Sequence, residues 1–130
     1  MRTLAMFAAV ALVALAAASA AGAAPNSATT TLDTAFPTTG TTINATFTVF
    51  GTTPVVPYEY ALDNVCTTKT GDFKLGQRDD IVYWNQDASG HPTVTMPIYL
   101  ESVPTGATCR VSLVHNNTAV KGSTVQYTVG

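Results

Sequence analysis

Five segments of the chain alternate apolar and polar residues with a period of two. Successive side chains of a β-strand point to opposite faces, so each segment predicts a strand with one buried face. The inward sets are Ile43, Ala45, Phe47 and Val49; Tyr58, Tyr60 and Leu62; Val94, Met96, Ile98 and Leu100; Cys109, Val111 and Leu113; and Val125, Tyr127 and Val129. The pattern therefore predicts a succession of β-strands.

Two weaker segments, Leu32 to Phe36 and Ile81 to Trp84, complete the predicted set of strands. The residues NQDASGHP after Trp84 have the composition of a hairpin loop. Seven short strands separated by turn residues are typical of two stacked antiparallel sheets. The fold prediction is an all-β, seven-stranded antiparallel immunoglobulin-like β-sandwich over residues 32–130.

The first 24 residues have the composition of a processing signal. Arg2 precedes an apolar run from Leu4 to about Ala18, and small residues suited to cleavage follow. This order predicts a cleaved secretory signal peptide over residues 1–24, followed by a flexible polar leader over residues 25–31. We expect a protein that is secreted and either extracellular or associated with the cell wall.

The stretch PTGATCRVSL resembles the sixth strand of immunoglobulin-like and fibronectin type III domains, with Cys109 where tyrosine is usual. The last 40 or so residues, HPTVTMPIYLESVPTGATCRVSLVHNNTAVKGSTVQYTVG, also resemble the end of a domain of fungal Ser/Thr-rich cell-surface proteins linked to wall glucan assembly. The resemblance implies a β-sandwich fold.

Covalent modifications follow from the predicted compartment. Cys66 and Cys109 are the two cysteines of the chain, and an oxidising compartment favours a structural disulfide between them. Two sequons, Asn44-Ala45-Thr46 and Asn116-Asn117-Thr118, would accept glycans in a eukaryote. Both asparagines are expected on the surface, the first on a polar strand face and the second in a turn.

Several function classes find little support in the residues. The formal net charge is −2 with no basic cluster, which disfavours nucleic acid as a partner. No catalytic residue is predicted, because Asp79 and Asp80 would face opposite ways in a strand and no nucleophile motif is present. Asp72, Asp79, Asp80 and Asp87 lack the density of a calcium motif, so neither a metal nor a cofactor is expected.

Ligand binding is the remaining function class, and one loop combines the side chains that binding requires. The stretch from Tyr83 to His91 carries two adjacent aromatic rings with amide, carboxylate and imidazole groups that can hydrogen-bond a polyol. The predicted ligand-binding residues are Tyr83, Trp84, Asn85, Asp87 and His91. Trp84 has two interpretations, as a core residue or as an exposed contact residue.

These observations predict a secreted, non-enzymatic binding protein of the cell surface, cell wall or extracellular matrix. Its partner would be an extracellular polysaccharide or a protein, and we expect a monomer without a membrane span. Two alternatives stay open: a small secreted effector or inhibitor that binds a protein, and a β-sandwich that holds a lipid between its sheets.

Overall fold

A computed structural model describes residues 25–71 and 74–130 of the chain. In these residues the protein is all-β and has no helix. The strands are, in chain order, β1 (Ser27–Leu32), β2 (Thr42–Phe50), β3 (Tyr60–Thr67), β4 (Lys74–Asp80), β5 (Asn85–Gln86), β6 (Pro92–Tyr99), β7 (Thr108–His115), β8 (Thr118–Ala119) and β9 (Val125–Thr128). The predicted signal peptide and Asp72 lie outside the described residues.

The strands form two antiparallel sheets. The four-stranded sheet has the order β1-β2-β6-β5. The five-stranded sheet has the order β4-β3-β7, and β8 and β9 lie one after the other along the far side of β7. The ends of β2, β3 and β7 that contain Phe50, Tyr60 and His115 therefore lie at the same end of the molecule as the start of β1.

The core lies between the two sheets, as expected for a β-sandwich. Phe47 and Ile98 of the four-stranded sheet and Leu62 and Leu113 of the five-stranded sheet are fully buried in one apolar cluster. The inward faces predicted from the period-two pattern are confirmed for β2, β6 and β7, although Met96 is only partly buried. For β3 the prediction is confirmed for Tyr60 and Leu62 and wrong for Tyr58, which precedes the strand and is exposed. Alternation alone was enough to find these strands because each has one face against this core.

The predicted flexible leader is wrong for most of its length. Residues 27–31 belong to β1, which pairs with β2 from Ser27 opposite Phe50 to Leu32 opposite Ala45. Ala28 is buried in the core, and its backbone N–H donates to the carbonyl of Lys121. The strand predicted from Leu32 to Phe36 is also wrong, because β1 ends at Leu32. The sandwich therefore begins before residue 32.

The strand predicted in the middle of the chain also lies at a different position from the observed one. Ile81 to Trp84 lie outside any strand, and the preceding segment, Lys74–Asp80, forms β4 instead. The inward positions of β4, Leu75, Gln77 and Asp79, are only half-buried and mostly polar, so the apolar alternation is weak there. The described residues hold nine strands rather than the predicted seven, and β5 and β8 are each two residues long.

Candidate functional site

The predicted disulfide is confirmed and joins the two central strands of the five-stranded sheet. Cys66 of β3 lies directly opposite Cys109 of β7, and their Cα atoms are 4.0 Å apart. Both residues are buried, so the bond is structural. Beside it, the hydroxyl of Tyr127 donates to Oδ1 of Asn64 at 2.7 Å, and burial raises the pKa of Tyr127 to about 12.

Trp84, the main candidate of the sequence analysis, is half-buried and packs against the core. Its indole ring meets the ring of Tyr60 edge-on, with centroids 5.6 Å apart and planes at 88°. Trp84 therefore packs on the edge of the core and keeps part of its surface exposed. Its neighbour Tyr83 is 59% exposed and stays available for contact with a partner.

The polar groups of the loop after Trp84 hydrogen-bond within the loop itself. The carboxylate of Asp87 accepts the backbone N–H groups of Ser89 and His91 at 2.9 and 2.8 Å, and its second oxygen lies 3.2 Å from Nδ1 of His91. These hydrogen bonds, first of all the one from the His91 backbone, hold the pKa of Asp87 below its ordinary value. Asn85 is exposed and its backbone pairs with Thr93.

The imidazole of His91 is also engaged, because it contacts the ring of Phe50 with centroids 4.7 Å apart. Asp87 and His91 thus shape a tight hairpin between β5 and β6. Of the five residues predicted to bind a ligand, the structure leaves Tyr83 and Asn85 exposed, packs Trp84 against the core and joins Asp87 to His91.

A second group of side chains surrounds two cavities at the same end of the sandwich. The larger cavity has a volume of about 450 Å³ and is lined by Asn26, Thr53, Tyr60, His115, Asn116 and Lys121, among others. The smaller has a volume of about 380 Å³ and is lined by Tyr58, Glu59, Tyr60, Arg78, Asp80 and Asn116, among others. We call them the end cavities. They share Tyr60 and Asn116, and their volumes are in the range of small-molecule sites.

A row of three rings supports the wall between the end cavities. Trp84 packs edge-on against Tyr60, and Tyr60 stacks face to face on the imidazole of His115, with centroids 4.3 Å apart and planes at 15°. Nε2 of His115 lies 3.5 Å from Oε2 of Glu59. Trp84 thus reaches the end cavities indirectly, through the ring of Tyr60.

Tyr58 lies at the rim of the smaller end cavity in a strained backbone conformation. Its φ is +69°, a left-handed value that costs a bulky residue roughly 1–2 kcal/mol, and its side chain is 68% exposed. A backbone hydrogen bond of 2.8 Å from its N–H to the carbonyl of Ile81 holds the segment in place. Strain of this kind is concentrated at functional sites.

The polar groups around Tyr58 come from two different elements. Nη2 of Arg78, on β4, donates to Oδ1 of Asn117 at 2.7 Å, which fixes the guanidinium beside the turn between β7 and β8. Asp80 lies further along β4 on the same exposed side. Lys121 and Asn26 line the larger end cavity, and the amide of Asn26 donates to the carbonyl of Thr53 at 2.7 Å. Cationic and anionic groups are mixed, so the end cavities favour a polar ligand of low net charge.

The turn between β7 and β8 consists of Asn116 and Asn117, with φ values of +50° and +64°. Two consecutive left-handed residues make the tight hairpin turn whose twist matches that of paired strands. Asn116 is exposed at its tip. The other sequon residue, Asn44, is half-buried within β2, and its Nδ2 donates to Oδ2 of Asp33 at 3.0 Å.

Two other regions offer less to a ligand. The outer face of the four-stranded sheet carries threonines whose hydroxyls pair across the strands, Thr46 with Thr95 at 2.9 Å and Thr48 with Thr93 at 3.2 Å. A cavity of about 310 Å³ lies beside β4, but the amide of Gln77 crosses from β4 to the backbone of Pro97 and Tyr99. Both sets of polar groups hold the sandwich together.

Within residues 25–71 and 74–130, no three histidine, cysteine or acidic residues come close enough to hold a metal ion. No helix in that part of the chain is long and apolar enough to cross a membrane. The structure thus defines an all-β, two-sheet protein with a pair of cavities at one end. Comparison of the chain with protein-family models, with curated proteins and with solved structures finds no match.

None of the residues that line the end cavities was predicted from the sequence to bind a ligand, and Asn116 was predicted only as a glycosylation site. One signal could have located part of the site, since consecutive asparagines between two alternating segments indicate a tight hairpin. A second signal lay in the predicted loop, where the sequence Asp87-Ala88-Ser89-Gly90 indicates a turn closed by the carboxylate. That signal identifies Asp87 as a structural residue.

Proposed function

We propose that this protein is a secreted, non-enzymatic binding protein that takes carbohydrate in the end cavities. The observation that carries the proposal is the exposed ring of Tyr58, whose backbone is left-handed, beside Arg78, Asp80 and Asn116 in a concave site. Sugars present apolar C–H faces and a dense set of hydroxyls. An aromatic face combined with planar polar groups complements both.

The mixture of charges supports an uncharged polysaccharide over an acidic one. Arg78 and Lys121 are offset by Asp80 and Glu59 around the end cavities, and the whole chain carries a formal charge of only −2. Arg78 is held by Asn117, which leaves its other guanidinium N–H groups as oriented donors. Preorganised donors lower the entropy lost on binding. We therefore propose that the protein works at the cell wall or in the extracellular matrix.

We also propose that the sandwich is of the immunoglobulin-like type. The strand orders β1-β2-β6 in one sheet and β4-β3-β7-β9 in the other support this assignment. In such folds, loops at the ends of the rigid sheets commonly hold the binding groups. The end cavities have this position.

The test is binding of the secreted protein to insoluble β-glucan, chitin and cellulose by co-sedimentation, and to their soluble oligosaccharides by calorimetry. Tyr58→Ala should weaken binding at least tenfold, which is about 1.4 kcal/mol and within the range for a contact aromatic residue. Tyr99→Ala is the matched control, because Tyr99 is 53% exposed and does not line the end cavities. Retention of none of these polysaccharides, or equal binding by the two variants, would contradict the proposal.

One observation favours the second candidate, an effector or inhibitor that binds a protein. Four of the exposed large apolar side chains, Val56, Tyr58, Val82 and Tyr83, belong to two segments that the hydrogen bond between Tyr58 and Ile81 holds side by side. Such a patch suits a protein partner. A pull-down from the native extracellular fraction with Val82→Asp as the control bait tests it, since the charged residue should abolish capture of a protein but leave polysaccharide binding intact.

A further inference from the structure

The sequon residue Asn116 occupies a particular place in the end cavities. Asn116 is exposed at the tip of the hairpin between β7 and β8, and it lines both cavities. The third residue of its sequon, Thr118, is also exposed and lines the larger cavity. A group attached to the amide of Asn116 would therefore start at the boundary between the two cavities.

Asn44 provides the contrast. Its backbone N–H and its side-chain Nδ2 each donate to a carboxylate oxygen of Asp33 at 3.0 Å, and it lies in β2 between Asp33, just after β1, and Pro97 of β6. These hydrogen bonds lower the pKa of Asp33. A glycan on Asn44 would disrupt the hydrogen bond between its Nδ2 and Asp33, whereas a glycan on Asn116 would be attached to an exposed turn.

We propose that Asn116 is N-glycosylated during secretion and that its first sugars occupy the end cavities, where they compete with external carbohydrate. This inference rests on the proposed function, since it assigns the regulation of the same site. The sugar donor is a lipid-pyrophosphate-linked oligosaccharide. A bond forms between Nδ2 of Asn116 and the anomeric carbon while the bond from that carbon to the phosphate oxygen breaks. The lipid pyrophosphate leaves with the electron pair, and the amide loses one proton.

Tethering is the physical reason for competition. A group held on a short flexible linker reaches its site at an effective concentration on the order of millimolar. The glycan consists of the same kind of units, ring C–H faces and hydroxyls, that the end cavities would bind from outside. It therefore occupies the cavities whenever their affinity for single sugars is comparable to that concentration. If the glycan leaves the cavities open about one-tenth of the time, the apparent Kd for a free ligand rises about tenfold.

The experiment compares glycoforms of the full chain from a eukaryotic secretory host. Thr118→Ala removes the sequon but keeps Asn116, Asn116→Gln removes it by a different change, and Thr118→Ser preserves it. Thr46→Ala removes the Asn44 sequon and is the control. Intact-mass measurement locates the glycan, and binding to soluble β-glucan oligosaccharides gives the affinity. Tyrosine nitration of Tyr58 relative to Tyr99 reports whether the cavities are covered, independently of any ligand.

We expect a glycan mass on the parent, Thr118→Ser and Thr46→Ala proteins that is lost from the other two variants. Thr118→Ala, which keeps the Asn116 amide in the site, should bind about tenfold more tightly. Tyr58 of both glycan-free variants should be nitrated faster while Tyr99 is unchanged. Absence of a glycan from Asn116, or equal affinity and equal nitration with and without it, would overturn the inference. Faster nitration of Tyr58 without oligosaccharide binding in any form would support coverage by the glycan and reject the proposed function.

Discussion

Two regions at the same end of the sandwich carry similar residues and differ in what those residues are free to do. The hairpin from Asn85 to His91 and the end cavities each contain amide, carboxylate and imidazole groups beside aromatic rings. In the hairpin, Asp87 accepts from two backbone N–H groups and contacts His91, so its carboxylate oxygens already have hydrogen-bond partners within the loop. Around the end cavities, Asp80 and Lys121 are exposed, and Arg78 keeps guanidinium N–H groups beyond the one that donates to Asn117. A site is identified by hydrogen-bonding capacity that the fold leaves unused.

The two regions are nevertheless connected through Trp84. Its ring packs edge-on against Tyr60, which lines both end cavities and stacks on His115. A change in the segment that leads to the hairpin can therefore alter the shape of the cavities without touching a ligand. Trp84 thus supports the position of Tyr60 and contacts neither cavity itself.

The largest effect is expected from the disulfide, which joins the two strands that lead to the end cavities. Cys66→Ala combined with Cys109→Ala removes a link between residues 43 positions apart, worth about 4 kcal/mol on the chain-entropy estimate. The melting temperature should fall by about 4–8 °C per kcal/mol. Trp84 fluorescence and ligand binding should be lost in one transition. Two separate transitions would show that the hairpin and the cavities belong to independent units.

Trp84→Ala comes next, with an expected loss of about 3 kcal/mol in the free energy of unfolding because a large ring packed on the core is removed. Tyr83→Ala, at the adjacent exposed position, should change stability by less than about 0.5 kcal/mol. Denaturant unfolding of the two variants measures the difference. If both variants unfold like the parent, Trp84 does not support Tyr60, and the connection between the two regions fails.

The sequence predicted the strands with a fully apolar inward face and missed those without one. β2, β6 and β7 alternate clearly because each contributes branched or aromatic residues to the core. β1 presents the core with little more than Ala28 and Leu32 in a threonine-rich segment, and β4 presents Gln77 and Asp79. Their positions depend on pairing with neighbouring strands, which a local pattern does not contain.

The candidate site was less predictable than the fold for a related reason. The contact between Arg78 and Asn117 joins residues 39 positions apart, and the end cavities combine the beginning of β1 with the ends of β4 and β7. Only the folded chain brings these groups together. The loop that the sequence favoured is rich in polar residues because its turn needs them, and composition does not distinguish that need from ligand binding.

Tyr58 allows a finer comparison between strain and contact. Both Tyr58→Ala and Tyr58→Gly remove the ring, so both should lose carbohydrate binding. Only glycine relieves the left-handed backbone at φ +69°, and Tyr58→Gly should therefore be more stable than Tyr58→Ala by about 1 kcal/mol. Thermal unfolding of the pair measures this. An alanine variant that is as stable as the glycine variant would show that position 58 carries no backbone strain.

The smallest effect concerns the pH dependence contributed by Asp87. Its pKa lies below the ordinary value of 3.8 because backbone N–H groups, first that of His91, hydrogen-bond the ionised form. A lowered folded-state pKa gives stability that is fully present above the unfolded value of 3.8 and is lost as pH falls through the folded value. Asp87→Asn keeps an oxygen acceptor but does not titrate.

The variant should therefore be slightly less stable than the parent at neutral pH, and the gap should close below about pH 3.8, where the parent loses its advantage. Asp33→Asn is the positive control. Hydrogen bonds from Asn44 also lower the pKa of Asp33, which is distant from the hairpin, so this variant should show the same pH trend. Melting temperatures of the three proteins between acid and neutral pH provide the comparison. A gap between Asp87→Asn and the parent that stays constant through the acid range would mean that the carboxylate of Asp87 is not engaged by its own turn. The hairpin would then regain the free polar group that a binding loop requires.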